Sequence, residues 1–171
     1  MPLHVVLYQP EIPQNTGNIM RTCAGSNTKL HIIKPIGFKL DPKYIKRTAV
    51  NYLDNVDYYV YENYQEFLST NTGRFIFLTR YGKKTPKEFD FSDSDETIYL
   101  VFGKESTGIP KEILREHLDT CVRIPTNDKI RSLNLANCVA IMVFEVLGQQ
   151  QYPGLYHEEP ETLKGPDWLL E

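Results

Sequence analysis

Leu100-Val101-Phe102-Gly103-Lys104-Glu105-Ser106-Thr107-Gly108-Ile109-Pro110 is the stretch on which the reading of this chain turns. An unbroken apolar run of strand length stops at a glycine. A polar loop with a second glycine follows, and a proline suited to a first helical turn opens the next segment. Gly103 at the strand end permits close backbone approach to a ligand, and Gly108 can supply a positive φ. The loop is neither a P-loop nor a dinucleotide fingerprint: no Gly-x-Gly occurs anywhere, and Lys104 precedes Glu105 instead of following a glycine. A plain structural turn would account for the same residues. The surroundings have to decide.

Outward from this loop, strand-length apolar runs recur at 4–8, 30–34, 58–61, 74–79, 97–102 and 121–125. Segments with helical spacing separate them, at 14–26, 42–50, 64–69 and 109–118, and a last one runs from about 133 to 149. Strands alternating with helices predict an α/β fold with a mainly parallel sheet and helices on both faces. The last helix is apolar around its whole axis, so it is expected to be buried on several sides, with a partner subunit or the core covering the final one.

Two more polar clusters follow strands. Asn15-Thr16-Gly17-Asn18-Ile19-Met20-Arg21 runs into a helix on which Ile12, Ile19 and Cys23 are expected to face the core, with Asn15, Asn18 and Arg21 opposite. Spare amides, two carboxamides and an Arg at a helix start suit a phosphate or ribose, although an Asn cap and an exposed Arg would explain them too. In Arg131-Ser132-Leu133-Asn134-Leu135-Ala136-Asn137, Ser132 is the natural N-cap and Asn134 and Asn137 leave the first turn of the apolar helix. Those carboxamides need partners, from a ligand or an adjacent loop.

Composition narrows the classes. A chain of 171 residues suits one domain. Its three cysteines, Cys23, Cys121 and Cys138, are odd in number and far apart, and its histidines show no ligand spacing, so neither a disulfide framework nor a metal is expected. No run reaches the ~20 apolar residues of a membrane span and no signal peptide opens the chain, which predicts a soluble, cytoplasmic protein. The formal charge is −3, yet the segment after Tyr156 holds five acids against Lys164, so a net −4 lies there and the remainder carries +1. Within the remainder two basic stripes stand out: Lys29, Lys34, Lys39, Lys43, Lys46 and Arg47, and Arg80, Lys83, Lys84 and Lys87. Such stripes can steer a polyanion, or can be ordinary solvated faces.

Taken together, the three clusters resemble the SPOUT class of knotted RNA methyltransferases. Within it the chain is most similar to the small tRNA (cytidine/uridine-2′-O-)-methyltransferases that act on the wobble nucleotide. Tyr8-Gln9-Pro10-Glu11-Ile12-Pro13 and Leu30-His31-Ile32-Ile33 with Pro35 and Gly37-Phe38 add to the likeness, which runs to about Gly154. Ala136 departs from it, standing where a serine is usual, and so does the acidic tail. The resemblance implies a single domain over 1–154 with a C-terminal trefoil knot, followed by the tail at 155–171. It also implies an S-adenosylmethionine site made of Leu78, Thr79, Gly103, Ile124, Ser132 and Leu133, and a homodimer through the terminal helix. The partner it implies is tRNA, bound at its anticodon loop; no membrane is involved.

The reaction so implied is in-line transfer of a methyl group to a ribose 2′-oxygen, which leaves the protein to align two atoms and manage one proton. Arg21 is expected at the ribose. Because a guanidinium stays protonated, its natural role is to position a phosphate and stabilise developing negative charge rather than to act as the base. Asn15, Glu105 and Asn137 are expected to orient Arg21 and the ribose. A ribose methyltransferase acting on another tRNA or rRNA site, or a non-catalytic RNA-binding protein on the same scaffold, are the alternatives.

Overall fold

A computed structural model describes residues 2–40 and 53–171; the expected helix at 42–50, with Lys43, Lys46 and Arg47, lies outside the described residues. Among the described residues six strands form one parallel sheet: β1 (Leu3–Tyr8), β2 (Lys29–Ile33), β3 (Tyr58–Tyr61), β4 (Arg74–Leu78), β5 (Ile98–Phe102) and β6 (Cys121–Val122), in the order β3-β2-β1-β5-β4-β6. The central pair, β1 and β5, is buried along nearly its whole length, as continuous apolar strands covered on both faces require.

Alternation along each strand splits the core in two. Leu3, Val5 and Leu7 of β1 and Ile98, Leu100 and Phe102 of β5 point to one face. There they pack under α1 (Pro13–Gly25) and α4 (Leu135–Gln149), through Ile19, Met20, Cys23, Val139, Met142 and Val146. Val6, Ile33, Phe77, Tyr99 and Val101 point to the other face, against Phe67 of α2 (Tyr64–Thr70) and Ile113 and Leu114 of α3 (Lys111–Arg115). Helices thus cover both faces. On the α2 face two histidines are buried: His4 Nδ1 lies 2.8 Å from His31 Nε2, and His31 Nδ1 lies 2.8 Å from the Tyr61 hydroxyl.

Three expectations change at the element ends. The helix expected at 109–118 is cut to Lys111–Arg115, because Pro110 caps it with extended ψ (137°) and the chain tightens into a short 3₁₀ turn at Leu118–Thr120. Strand β6 ends at Val122, where the edge of the sheet gives out and the next residues turn into a loop. The last helix starts at Leu135, and its N-cap is Asn134 in place of Ser132: the Asn134 carboxamide oxygen accepts from the amides of Ala136 and Asn137. That helix is buried on several sides, as expected, and keeps one side open. Ile141 and Phe144 are each more than two-fifths exposed, whereas Val143 is fully buried in the core.

Candidate active site

The strand order reverses between β1 and β5, and at such a switch point open α/β sheets form their ligand crevice beyond the strand C-termini. A cleft of about 350 Å³ lies there, within the range of small-molecule sites. Its walls come from the segments after β1, β4, β5 and β6. Leu78, Thr79, Gly103, Ile124, Ser132 and Leu133 all line it, so residues up to 55 positions apart in sequence meet at one place.

The cleft is held shut at its base by one carboxylate. Glu105 accepts hydrogen bonds from the Glu11 amide (2.8 Å), the Ile12 amide (3.1 Å) and Asn15 Nδ2 (3.3 Å). Ile12 is the N-cap of α1 and offers no side-chain acceptor, so Glu105 supplies the negative charge that a helix start favours. Glu11 answers in kind, accepting from the Ser106 amide (3.0 Å) and Oγ (2.6 Å), which holds its own carboxyl below the usual range. Asn134 Nδ2 then donates to Asn15 Oδ1 at 3.0 Å and ties α4 to α1 at the same point. The carboxamide at the α4 start therefore finds its partner in an adjacent element.

Gly103 needs its missing side chain for a reason different from the one expected. A Cβ there would stand 2.2 Å from the carbonyl carbon of Gly108 and 2.3 Å from the amide of Ile109. The close approach is to the loop's own backbone, which doubles back through a Gly108 N–H to Lys104 carbonyl bond of 2.9 Å, with Gly108 at φ +73°.

The expected catalytic residues divide. Asn15, 6% exposed, and Glu105 line the cleft. Asn15 is therefore not on the open side of α1, and Ile12, expected in the core, is exposed, because the first turn rolls Asn15 inward against Glu105 and Asn134. Arg21 and Asn137 are exposed and are not in the cleft wall. Arg21 stands six residues beyond Asn15, about 9 Å along the helix axis. Asn134, which joins the Asn15–Glu105 group, is missing from the residues expected to act; its signal was the i, i+3 carboxamide pair itself. Cys23 is core, its thiol pushed up to about 12 by burial.

The profile of the SpoU rRNA methylase family matches residues 2–144. The chain belongs to that family. This SpoU member is 48% identical to a Geobacillus stearothermophilus protein provisionally named a tRNA (cytidine(34)-2′-O)-methyltransferase, over 91% of the chain and 99% of that relative. It superposes on a crystal structure of a provisionally assigned RNA methyltransferase from Bacillus anthracis with a TM-score of 0.87, at 49% identity, covering 92% of this chain and 99% of that one. A structure described as giving insight into 2-OH methylation of C/U34 on tRNA matches with a TM-score of 0.80 at 38% identity, over 87% and 96% of the two chains.

Proposed function

We propose that this SpoU member methylates the ribose 2′-oxygen of the wobble nucleotide of tRNA, a cytidine or modified uridine, with S-adenosylmethionine as methyl donor. The observation that carries the reading is the cleft: every residue expected to hold the cofactor lines one crevice, beside a carboxylate–carboxamide group at the start of two helices. The cleft fits the cofactor. Leu78, Phe102, Ile124 and Leu133 offer apolar walls for a purine, and the polar loop residues Thr79 and Ser132 offer hydrogen bonds to ribose and amino-acid groups. When bound, S-adenosylmethionine supplies the electrophilic methyl group.

The chain's own part is alignment and charge. Glu105 fixes the loop after β5 against α1, and Asn15, gripped from both sides, holds the cleft floor. Arg21 on the exposed side of α1 meets the RNA phosphate and stabilises charge developing on the 2′-oxygen, and Asn137, exposed in the first turn of α4, helps orient the ribose. The 2′-hydroxyl proton leaves to water or another acceptor, since a guanidinium has no lone pair to take it.

The active form is a homodimer through the open strip of α4 that carries Ile141 and Phe144. The trefoil knot is part of the same proposal; the β4–β5 connection lies against the end of β6, where the Arg123 amide donates to the Lys84 carbonyl at 2.8 Å and the Arg123 guanidinium to the Arg80 carbonyl. No helix among the described residues is long and apolar enough to cross a membrane. The proposed site of action is the cytoplasm, on the ground of the proposed tRNA substrate alone.

Mass spectrometry of tRNA nucleosides from cells with and without the protein tests the assignment. Ribose methylation at position 34 is expected to disappear on deletion. In vitro, Arg21→Ala is expected to depress methyl transfer far more than cofactor binding. Unchanged wobble methylation in the deleted strain would refute the substrate, and full transfer by Arg21→Ala would refute the role of the guanidinium.

A further inference from the structure

Thr79, Arg80 and Tyr81 of the turn that ends at Gly82 form part of the cleft wall, and the tyrosine stands out from it with three quarters of its surface in water. The main chain beneath it is fixed. The Tyr81 amide donates to Thr79 Oγ1 at 3.2 Å, and the Gly82 amide donates to the Thr79 carbonyl at 3.1 Å. The Arg80 carbonyl accepts from the Arg123 guanidinium. Gly82 sits so tightly on β6 that a Cβ would come within 2.7 Å of the Val122 carbonyl carbon. A large ring displayed on a turn whose main chain is held in place is a contact surface made in advance, which lowers the ordering cost of binding.

The chemistry around the ring selects the partner. The Arg80 guanidinium lies over the Tyr81 ring, 5.5 Å from its centroid, and Arg123 and Arg131 line the same cleft. Among the residues of the cleft wall the one carboxylate is Glu105, whose oxygens are engaged by Glu11, Ile12 and Asn15. A flat apolar ring flanked by cations matches a polyanion that carries flat apolar faces. Single-stranded RNA is that polyanion; in a duplex the bases are stacked on each other and only the end pairs leave a face free.

We propose that Tyr81 is a stacking platform for an unpaired nucleobase next to the reacting nucleotide, with Arg80 gripping the adjoining phosphate. The inference rests on the reading of the cleft as an RNA ribose methyltransferase site, and it assigns the turn after β4 the task of seating the loop. Because stacking uses the π-face that every base has, Tyr81 sets how tightly an open loop is held and not which base is chosen.

The test compares wild type, Tyr81→Phe and Tyr81→Ala in binding a fluorescent anticodon stem-loop and the blunt duplex stem alone. Calorimetry with S-adenosylmethionine and light scattering run beside it. Tyr81→Ala is expected to weaken stem-loop binding on the order of tenfold, to leave duplex and cofactor affinities within about twofold, and to be rescued by Tyr81→Phe. Unchanged stem-loop binding, an equal loss on the duplex, a loss of cofactor affinity, or a change in molecular mass each overturns the proposal. Binding is read without turnover. A wild type that holds the loop but never methylates its wobble ribose refutes the enzymatic reading and leaves Tyr81 to be judged by the variants, and a wild type that binds no RNA refutes both.

Discussion

Gly103 shows how one absent side chain can hold a site together. Its neighbours at 2.2–2.4 Å from a would-be Cβ are all main-chain atoms of Gly108 and Ile109, and main chain cannot swing aside as a flexible side chain could. Gly103→Ala must push the two arms of the loop apart, and overpacking of this kind costs about 1–3 kcal/mol. The same displacement moves Glu105 off the amides of Glu11 and Ile12. Gly103→Ala is therefore expected to lower the Tm and to lose S-adenosylmethionine affinity together, as read by thermal unfolding and calorimetry. A variant that binds the cofactor normally would show that the loop geometry does not make the site. The glycine was legible in the sequence as a special position, but its reason was not: the neighbour it accommodates is five residues further along its own loop, which spacing alone cannot distinguish from a ligand.

The His4–His31 pair makes a second prediction at the same scale. Burial, and after it Lys29, lowers His4 to about 4; burial, and after it His4 and Lys29, lowers His31 to about 3. Both imidazoles are thus neutral in the folded chain while the unfolded chain takes up protons below about 6.5. The unfolded state binds more protons across that window, so the pair's stabilising effect is complete above pH 6.5 and is lost as pH falls toward 3. Thermal unfolding between pH 7 and 4 is expected to show a falling Tm whose slope is flatter in His31→Phe. Parallel curves for the two proteins would exclude the pair as the acid-sensitive element. Sequence inspection sets these histidines aside for want of ligand spacing; their closeness comes from β1 and β2 lying side by side in register, Val6 beside His31.

At the scale of elements, strands were more legible than helix ends. Continuous apolar runs such as 98–102 have one stable place in a soluble chain, the middle of a covered parallel sheet, so their position followed from composition. Helix starts depend on which of several polar residues finds the better partners. Ser132 and Asn134 are both competent caps; Asn134 takes the role because its amide group also reaches Asn15, 119 residues away in the chain. The same logic separates neighbours on α4. Val143 is fully buried, while Phe144 is 44% exposed beside Tyr152, Leu155 and Tyr156. Val143→Glu places an unpaired charge in the core, costs several kcal/mol and is expected to unfold the chain. Phe144→Glu is expected to leave the Tm nearly unchanged and to convert the proposed homodimer to monomers in light scattering. A Phe144→Glu protein that keeps the mass of wild type would move the interface elsewhere.

For the whole molecule the informative quantity is where the charge sits. The net −3 hides a remainder of +1 and a tail with five acids against one base, most of whose residues are exposed. The exposed cations Arg80, Lys83 and Lys84 lie on and next to the turn at the cleft mouth, so RNA approaching there meets local attraction and, from the tail, a longer-ranged repulsion. Exposed charges more than a Debye length apart interact little, and that length is about 10 Å at 0.1 M salt and about 30 Å at 0.01 M. Removing the chain after Leu155, which itself packs on the core, is therefore expected to tighten stem-loop binding at low salt and to leave it unchanged at 0.2 M or above. The difference is expected in the association rate, because the tail would alter steering and none of the contacts made once bound. Stopped-flow fluorescence over a salt series reads both quantities. If the truncated protein instead bound more weakly at every salt concentration, the tail would be making contacts of its own, through groups such as the exposed Trp168, Leu169 and Leu170.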